Sequence, residues 1–395
     1  MQFNINSKTL LTHMLAVSKV VSTKNSIDVL NNFLFEVKGE TLTIIGSDKE
    51  NTLVARIPVS GVEGEASFAV NVKKMVDLFK EMPAQGITFE VDTQTYEIKV
   101  KCLNGTFNIV GIDGGQFPRP KPQEDDVFSF TIPSTEVPKS LDKTVFAAGT
   151  DTMRPIMMGV LWDIKPDSIV FVASDTHKLV RFINSAVKPG LEGSFILPIK
   201  PANVLASILE KKEDKEKKDA EAPETEEVAE VAKPDNLLTV KFDSKSVVFE
   251  NETYTLECRF ISGKYPNYGA VIPQSSPFVI ALDKSTMLNV VKRVSIFATD
   301  GGLIQLTIAD NKVLFQAQDP EMLSSGREYI PCDYDGAPLT MGFNKDCLID
   351  VLNNLTVNDI YLKITDTTRP GVFVPQENKE NEDWLVLVMP MMVPR

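Results

Sequence analysis

Phe3–Val21 reads FNINSKTLLTHMLAVSKVV. Apolar and polar residues alternate at its start, the period of a half-buried strand. A polar break follows, and then Leu10, Met14, Val17 and Val21 recur at helical spacing. The stretch predicts a strand running straight into an amphipathic helix. Two later segments share this grammar: FTIPSTEVPKSLDKTVFAA from Phe130 and VIALDKSTMLNVVKRVSIFA from Val279. In the last, Met287, Val290, Val291 and Val294 form the apolar stripe. Ser7, Ser134 and Asp283 fall where helix N-caps or their neighbours belong.

A second trio lies deeper in each repeat: ASFAVNVKKMVDLFKEM from Ala66, GSFILPIKPANVLASIL from Gly193 and PLTMGFNKDCLIDVLNNL from Pro338. Each is again a strand and a helix. Hairpin-like alternating strands follow, as in GITFEVDTQTYEIKVKCLNGTFNIVGI from Gly86, in the stretch from Asp235, and in the stretch from Asp359 to the end. The period is roughly 130 residues, far beyond a solenoid repeat, so each copy is a domain of two strand–helix–strands halves. Proline-rich joints near Pro118–Asp126 and Ile272–Pro277 mark the seams. The fold class predicted is α+β: three tandem similar domains, 1–126, 127–276 and 277–395, each with two helices and two β-sheets. Such a row implies a curved or ring-like array with one helix-lined edge.

Composition narrows the function. The 395 residues are 43% hydrophobic and 24% charged, the profile of a soluble globular protein. No secretory signal or membrane-spanning apolar run is visible, which predicts a cytoplasmic protein. Cys102, Cys258, Cys332 and Cys347 lie far apart and read as reduced thiols. The net charge of −13 argues by itself against nucleic acid. That charge is uneven: Glu210–Glu230 holds ten acids against five lysines, and the segment of about 210–234 reads as a solvated insertion.

Lysines recur on the predicted helices: Lys8, Lys19, Lys73, Lys74, Lys80, Lys139, Lys143, Lys200, Lys292 and Lys345, with Arg293. Singly each is an ordinary solvated residue. Together, on repeated helices of an acidic chain, they read as one surface that holds phosphates without reading bases.

Motifs for chemistry are missing. No phosphate loop, dinucleotide fingerprint, nucleophile elbow or HExxH helix occurs, and with only His13 and His177 no histidine metal site is built. No cofactor and no metal are implied. Ala173–Phe182, ASDTHKLVRF, places Asp175 and His177 two apart on a strand, which allows contact between them. A hydrolase built on that pair is the alternative reading. It lacks a nucleophile, since Ser174 faces the other way. A third reading is a scaffold with no nucleic-acid partner.

SDTHKLVRF, SGKYPNYGAVIP (Ser262–Pro273), GFN at Gly342–Asn344 and the tail LVMPMMVPR, in this order on a threefold repeat, resemble the bacterial DNA polymerase III β subunit, the sliding clamp. The resemblance covers all three domains. It implies a head-to-tail homodimeric ring, a DNA clamp fold, that encircles double-stranded DNA without sequence specificity and tethers the replicative polymerase for processive synthesis. It implies no enzymatic activity of its own and a separate ATP-driven clamp loader. Partners carrying short clamp-binding peptides would dock in a pocket between domains II and III.

By motif position, that pocket takes Ser174, Thr176, His177, Lys178 and Leu179, with Met157, Pro266, Val271 and Asn344. Pro370 and the tail residues Leu387, Val388, Met389, Pro390 and Met391 complete it. Flexible methionines suit a wall that accepts several ligands. For DNA, the resemblance points to Lys24, Lys73, Lys74 and Lys200. For the dimer it points to Phe107 and Ile109 on one side and Ile296 and Phe297 on the other, apolar residues suited to a heterologous, ring-closing contact. The chain departs from the family pattern: Thr176 stands where glycine is usual and Lys178 where arginine is usual. Ala270 and Cys347 replace a common arginine and tyrosine, and Pro155 and Ile156 an aromatic pair.

Overall fold

A computed structural model describes residues 1–22, 27–119, 127–209, 237–334 and 336–393. The readings of Lys24 and of the acidic segment 210–234 lie outside these residues.

Six strands each lead into a helix, five of them directly. Gln2–Asn6 leads to α1 (Ser7–Ser18), Ala66–Asn71 to α2 (Val72–Lys80), and Phe128–Pro133 by way of a turn to α3 (Glu136–Asp142). Gly193–Pro198 leads to α4 (Ile199–Leu209), Phe278–Asp283 to α5 (Lys284–Ser295), and Leu339–Asn344 to α6 (Lys345–Asn354). Four of these strands end on a capping residue. The side chains of Asn6, Asn71, Asp283 and Asn344 each accept backbone N–H groups of the first helical turn. Ser7 is therefore one residue past the cap, and its hydroxyl donates instead to Pro83 O at 2.8 Å. In the other two copies proline ends the strand.

At least three antiparallel strands follow each helix in the described residues, as alternation predicts. After α1 come Asn32–Lys38, Thr41–Ser47 and Asn51–Pro58, and after α2 come Gly86–Val91, Glu97–Cys102 and Gly105–Val110. The chain forms two compact units, 1–138 with 203–260, and 139–202 with 261–395. The division cuts the central repeat because its halves enter different sheets. In the first unit Tyr254–Arg259 pairs with Asn51–Pro58, Leu256 opposite Leu53, extending that sheet to nine strands. A five-stranded sheet accompanies it, with Gly105–Val110 at its edge. In the second unit Lys178–Asn184 pairs with Glu382–Val388 in an eight-stranded sheet, beside a four-stranded sheet edged by Ser324–Pro331.

Each unit buries its own core. Leu10, Met14 and Val17 of α1 are fully buried, and Phe3 stacks on Phe89 at 4.7 Å. In the second unit Trp162, Phe171, Phe182 and Trp384 are buried, with Trp162 edge-on to Phe171 at 4.6 Å. The third repeat of the helix pattern is irregular at α3, which stops at Asp142. There Thr144 donates its hydroxyl back to Ser140 O at 2.8 Å, a local bond that competes with helical pairing.

The cysteines are free, and burial pushes the Cys258 thiol up. Among the described residues no helix is long and apolar enough to cross a membrane.

Candidate functional site

The turn that joins Ser168–Ser174 to Lys178–Asn184 is welded by its own side chains. Asp175 Oδ1 accepts the backbone N–H groups of His177 and Lys178, both at 2.8 Å. Asp175 Oδ2 takes the Lys178 ammonium at 2.8 Å. Ser174 is buried; its hydroxyl donates to Lys178 O at 2.9 Å and accepts from Thr176 N. Thr176 sits at φ +80°, in the left-handed region that β-branched residues avoid. Its hydroxyl accepts from Arg154 at 2.9 Å, and Arg154 is braced in turn by Asp151.

Lys178 does more than close the turn. Its ammonium also reaches Asp350 of α6 at 2.9 Å, and the side chain is only 10% exposed. Burial alone would lower its pKa; the two carboxylates overcome this and hold it above the ordinary lysine value. For Asp175 burial pushes up, but Lys178 and the turn's N–H groups hold the carboxyl below its usual range.

Beside this turn lies an apolar cavity of about 210 Å³. Met157, Leu179, Leu387 and Met389 supply its apolar walls, with Ser174, Thr176 and Lys178 from the turn. The run Tyr265–Val271 closes the other side through Tyr265, Pro266, Asn267, Tyr268 and Val271. Its floor belongs to a core cluster of Leu161, Val170, Val172, Leu179, Ile196, Tyr265 and Leu387. Leu179 and Leu387 are register partners on adjacent strands, so both face the cavity by strand alternation.

Of the residues read for the pocket, His177, Asn344, Pro370, Val388, Pro390 and Met391 do not line this cavity. His177 is exposed, and its backbone O accepts from Met389 N at 2.8 Å. Asn344 is the cap of α6. Val388 is buried, one residue out of phase with Leu387, and Pro370 is also buried. Pro390 is half-buried, and Met391 bonds back to Gly342 O at 2.8 Å. Tyr265, Asn267 and Tyr268 were not anticipated, although the YPNY run announces an aromatic wall.

For the Asp175–His177 pair, both carboxylate oxygens of Asp175 serve the turn and Lys178, and none is bonded to the imidazole. No cluster of three or more His, Cys, Asp or Glu that could hold a metal ion is found among the described residues.

The helix lysines divide. Lys73 and Lys74 lie exposed in the first turn of α2, Lys200 in that of α4, and Lys292 and Arg293 in the last turn of α5. Arg293 grips Glu328 with two nitrogens, at 2.9 and 2.6 Å. Lys139 reaches Glu382 at 2.6 Å. Lys143 is a correction to the surface reading. Because α3 ends one residue earlier, Lys143 turns inward, is 7% exposed, pairs with Glu382 and sits 4.3 Å from the Phe182 ring centroid.

Two sheet edges carry exposed apolar groups. On Gly105–Val110 Phe107 and Val110 are exposed and Ile109 half-buried. Near Ser324–Pro331, Ile296 is 77% exposed and Phe297 lies against Gly326.

The strand–helix–three-strand unit repeated along the chain defines a three-domain α+β protein of the DNA-clamp type. Models of the N-terminal, central and C-terminal domains of the DNA polymerase III beta subunit match residues 1–121, 131–218 and 269–392, so the chain belongs to the DNA polymerase III β subunit family, the sliding clamps. A beta sliding clamp of Pseudomonas putida is 24% identical over 396 residues, covering 99% of this chain and 100% of the relative. The sliding clamp of Pseudomonas aeruginosa, solved bound to griselimycin, superposes with a TM-score of 0.87 at 23% identity over 100% of both chains. That of Thermotoga maritima gives a TM-score of 0.85 at 21% identity, again over 100% of both.

Proposed function

We propose that this clamp closes head to tail with a second copy into a ring around duplex DNA, and that the cavity beside Ser174–Leu179 holds the docking peptides of the polymerase, the clamp loader and other partners. The observation that carries the peptide reading is the cavity itself. It is an apolar trough with a few polar groups on one rim, walled partly by methionines, and its rim turn is fixed by internal bonds. A rigid turn loses little entropy when a ligand arrives. The solved clamp bound to griselimycin fits such a pocket in a relative.

The DNA reading is supported by where the lysines stand. Lys8, Lys73, Lys74, Lys200 and Lys345 occupy first helical turns, and α1, α2 and α4 carry no acid there. A cation at that end opposes the helix dipole, by roughly 0.3–1 kcal/mol each. A phosphate partner reverses this cost, since helix N-termini and lysines both attract it. The domains are taken as 1–126, 127–276 and 277–395, and the protein as a cytoplasmic, non-enzymatic tether.

Sedimentation of the full chain, loading onto a nicked DNA circle by a clamp loader with ATP, and retention until the circle is linearised test the ring. A monomer at micromolar concentration, or no retention on the circle, overturns it. Fluorescence anisotropy with a labelled peptide carrying an apolar Leu–Phe pair tests the pocket, with Leu387→Asp as the variant that abolishes binding.

A further inference from the structure

A second cavity, of about 520 Å³, adjoins the first along the same strands of the eight-stranded sheet, and Tyr268 lines both. The strands make them continuous. Leu179 belongs to the first cavity and Arg181, two residues on, to the second. On the neighbouring strand Leu387 and Leu385 divide in the same way. Residues two apart on a strand share a face, so a chain lying in the first cavity can run on past Tyr268 into the second without turning.

The second cavity differs in chemistry. Arg181 gives one nitrogen to Asp383 at 2.6 Å, and both side chains line the cavity. A guanidinium carries five N–H donors, and Asp383 takes only one of its nitrogens. Lys363 also lines the cavity, half-buried, with no ion-pair partner among the described residues. Val372 and Leu385 supply the apolar surface beneath. Lys363 and the Arg181 guanidinium, with one of their two charges offset by Asp383 and an apolar floor beneath, fit a carboxylate on a short stem.

We propose that this second cavity binds the acidic flank of a partner peptide whose apolar anchor occupies the first. The inference rests on the peptide reading of that first cavity. It makes the groove a specificity element: an anchor with glutamates beside it is held more tightly than the anchor alone. The chain's net charge of −13 repels an acidic segment at long range, so a gain in affinity reports this recess and not general attraction.

The test uses the intact protein and three labelled synthetic peptides: a Leu–Phe anchor flanked by Gly–Ser, and the same anchor with three glutamates on its N-terminal or its C-terminal side. One acidic version should bind about fivefold tighter than the plain anchor at low salt. Lys363→Glu should abolish that gain, and Lys363→Gln should reduce it, while both leave the plain anchor's affinity unchanged. Equal affinity of all three peptides, or a gain that survives Lys363→Glu, overturns the inference while the first cavity stands as a peptide site. Failure of the plain anchor to bind at all sinks the reading of the first cavity, and this inference with it.

Discussion

Lys178 Nζ lies 2.9 Å from Asp350 Oδ2, an ion pair that ties the cavity's rim turn to α6. The same ammonium neutralises Asp175, and the two carboxylates differ in exposure: 21% for Asp175 and 39% for Asp350. The two bonds are therefore unequal. Lys178→Met leaves Asp175 part-buried without a counter-charge and should destabilise by roughly 3 kcal/mol. Asp350→Asn removes a pair that solvent already screens and should cost under about 1 kcal/mol. Urea unfolding of both variants checks the ratio; equal losses contradict it.

The Asp175 carboxyl is held below its usual value despite burial, because Lys178 and the turn's N–H groups outweigh desolvation. A depressed carboxyl contributes stability above its unfolded pKa of about 3.9 and loses it as pH falls through the folded value. Lys178 is shifted upward, so its contribution stands below about pH 10.4 and fades only above that. The stability gap between wild type and Asp175→Asn should thus be full at pH 7 and close below about pH 4. A gap that persists unchanged at pH 3 contradicts this.

Periodicity makes most of this fold legible in the sequence. Leu10, Met14 and Val17 announced α1, and Met287, Val290, Val291 and Val294 announced α5; all are buried, whereas Val21, the fourth residue of the first stripe, falls past the end of α1 and is half-buried. Lys143 was misplaced because the pattern does not reveal that Thr144 bonds backward and stops α3. The tail was read as one block from Leu387 to Met391, although strand alternation separates Leu387, in the cavity, from Val388, in the core. Tyr265 and Tyr268 were missed because the irregular run between Phe260 and Phe278 has no period to read. What sequence could not supply was the pairing of Lys178–Asn184 with Glu382–Val388, since long-range register leaves no local signal.

Thr176 at φ +80° is strained, because a β-branched side chain is disfavoured in the left-handed region. Thr176→Gly should relieve roughly 1 kcal/mol of strain, offset in part by the entropy glycine gains when unfolded and by the lost Arg154 bond at 2.9 Å. The net expectation is unchanged or slightly higher stability. Thr176→Val keeps the β-branch, loses the hydroxyl, and should be less stable than wild type. Thermal melts that rank valine above glycine refute the strain argument.

The tail bonds twice to the unit it closes: Met389 N to His177 O and Met391 N to Gly342 O, both at 2.8 Å. Met389 also walls the cavity. Deleting residues from Met389 onward opens that wall and releases the turn, and should weaken binding of a Leu–Phe peptide about tenfold or more. Solution mass should not change, since neither exposed sheet edge involves the tail. A shift to lower mass, or unimpaired peptide binding, contradicts the division of roles.

Ile296 is 77% exposed beside the edge strand Ser324–Pro331, and Phe107 is exposed on the edge strand Gly105–Val110. Unpaired edges flanked by exposed apolar side chains invite another chain. If these edges meet between two copies, each copy offers a different edge at each contact, and two contacts close the ring. A charge at either edge should then break both contacts together. Ile296→Asp and Phe107→Asp should each give a monomer by sedimentation, with peptide affinity unchanged because the cavity lies elsewhere. Mixing the two variants should not restore a full ring, since every closed dimer of one with the other retains one damaged contact. A dimer that persists in both single variants places the interface elsewhere.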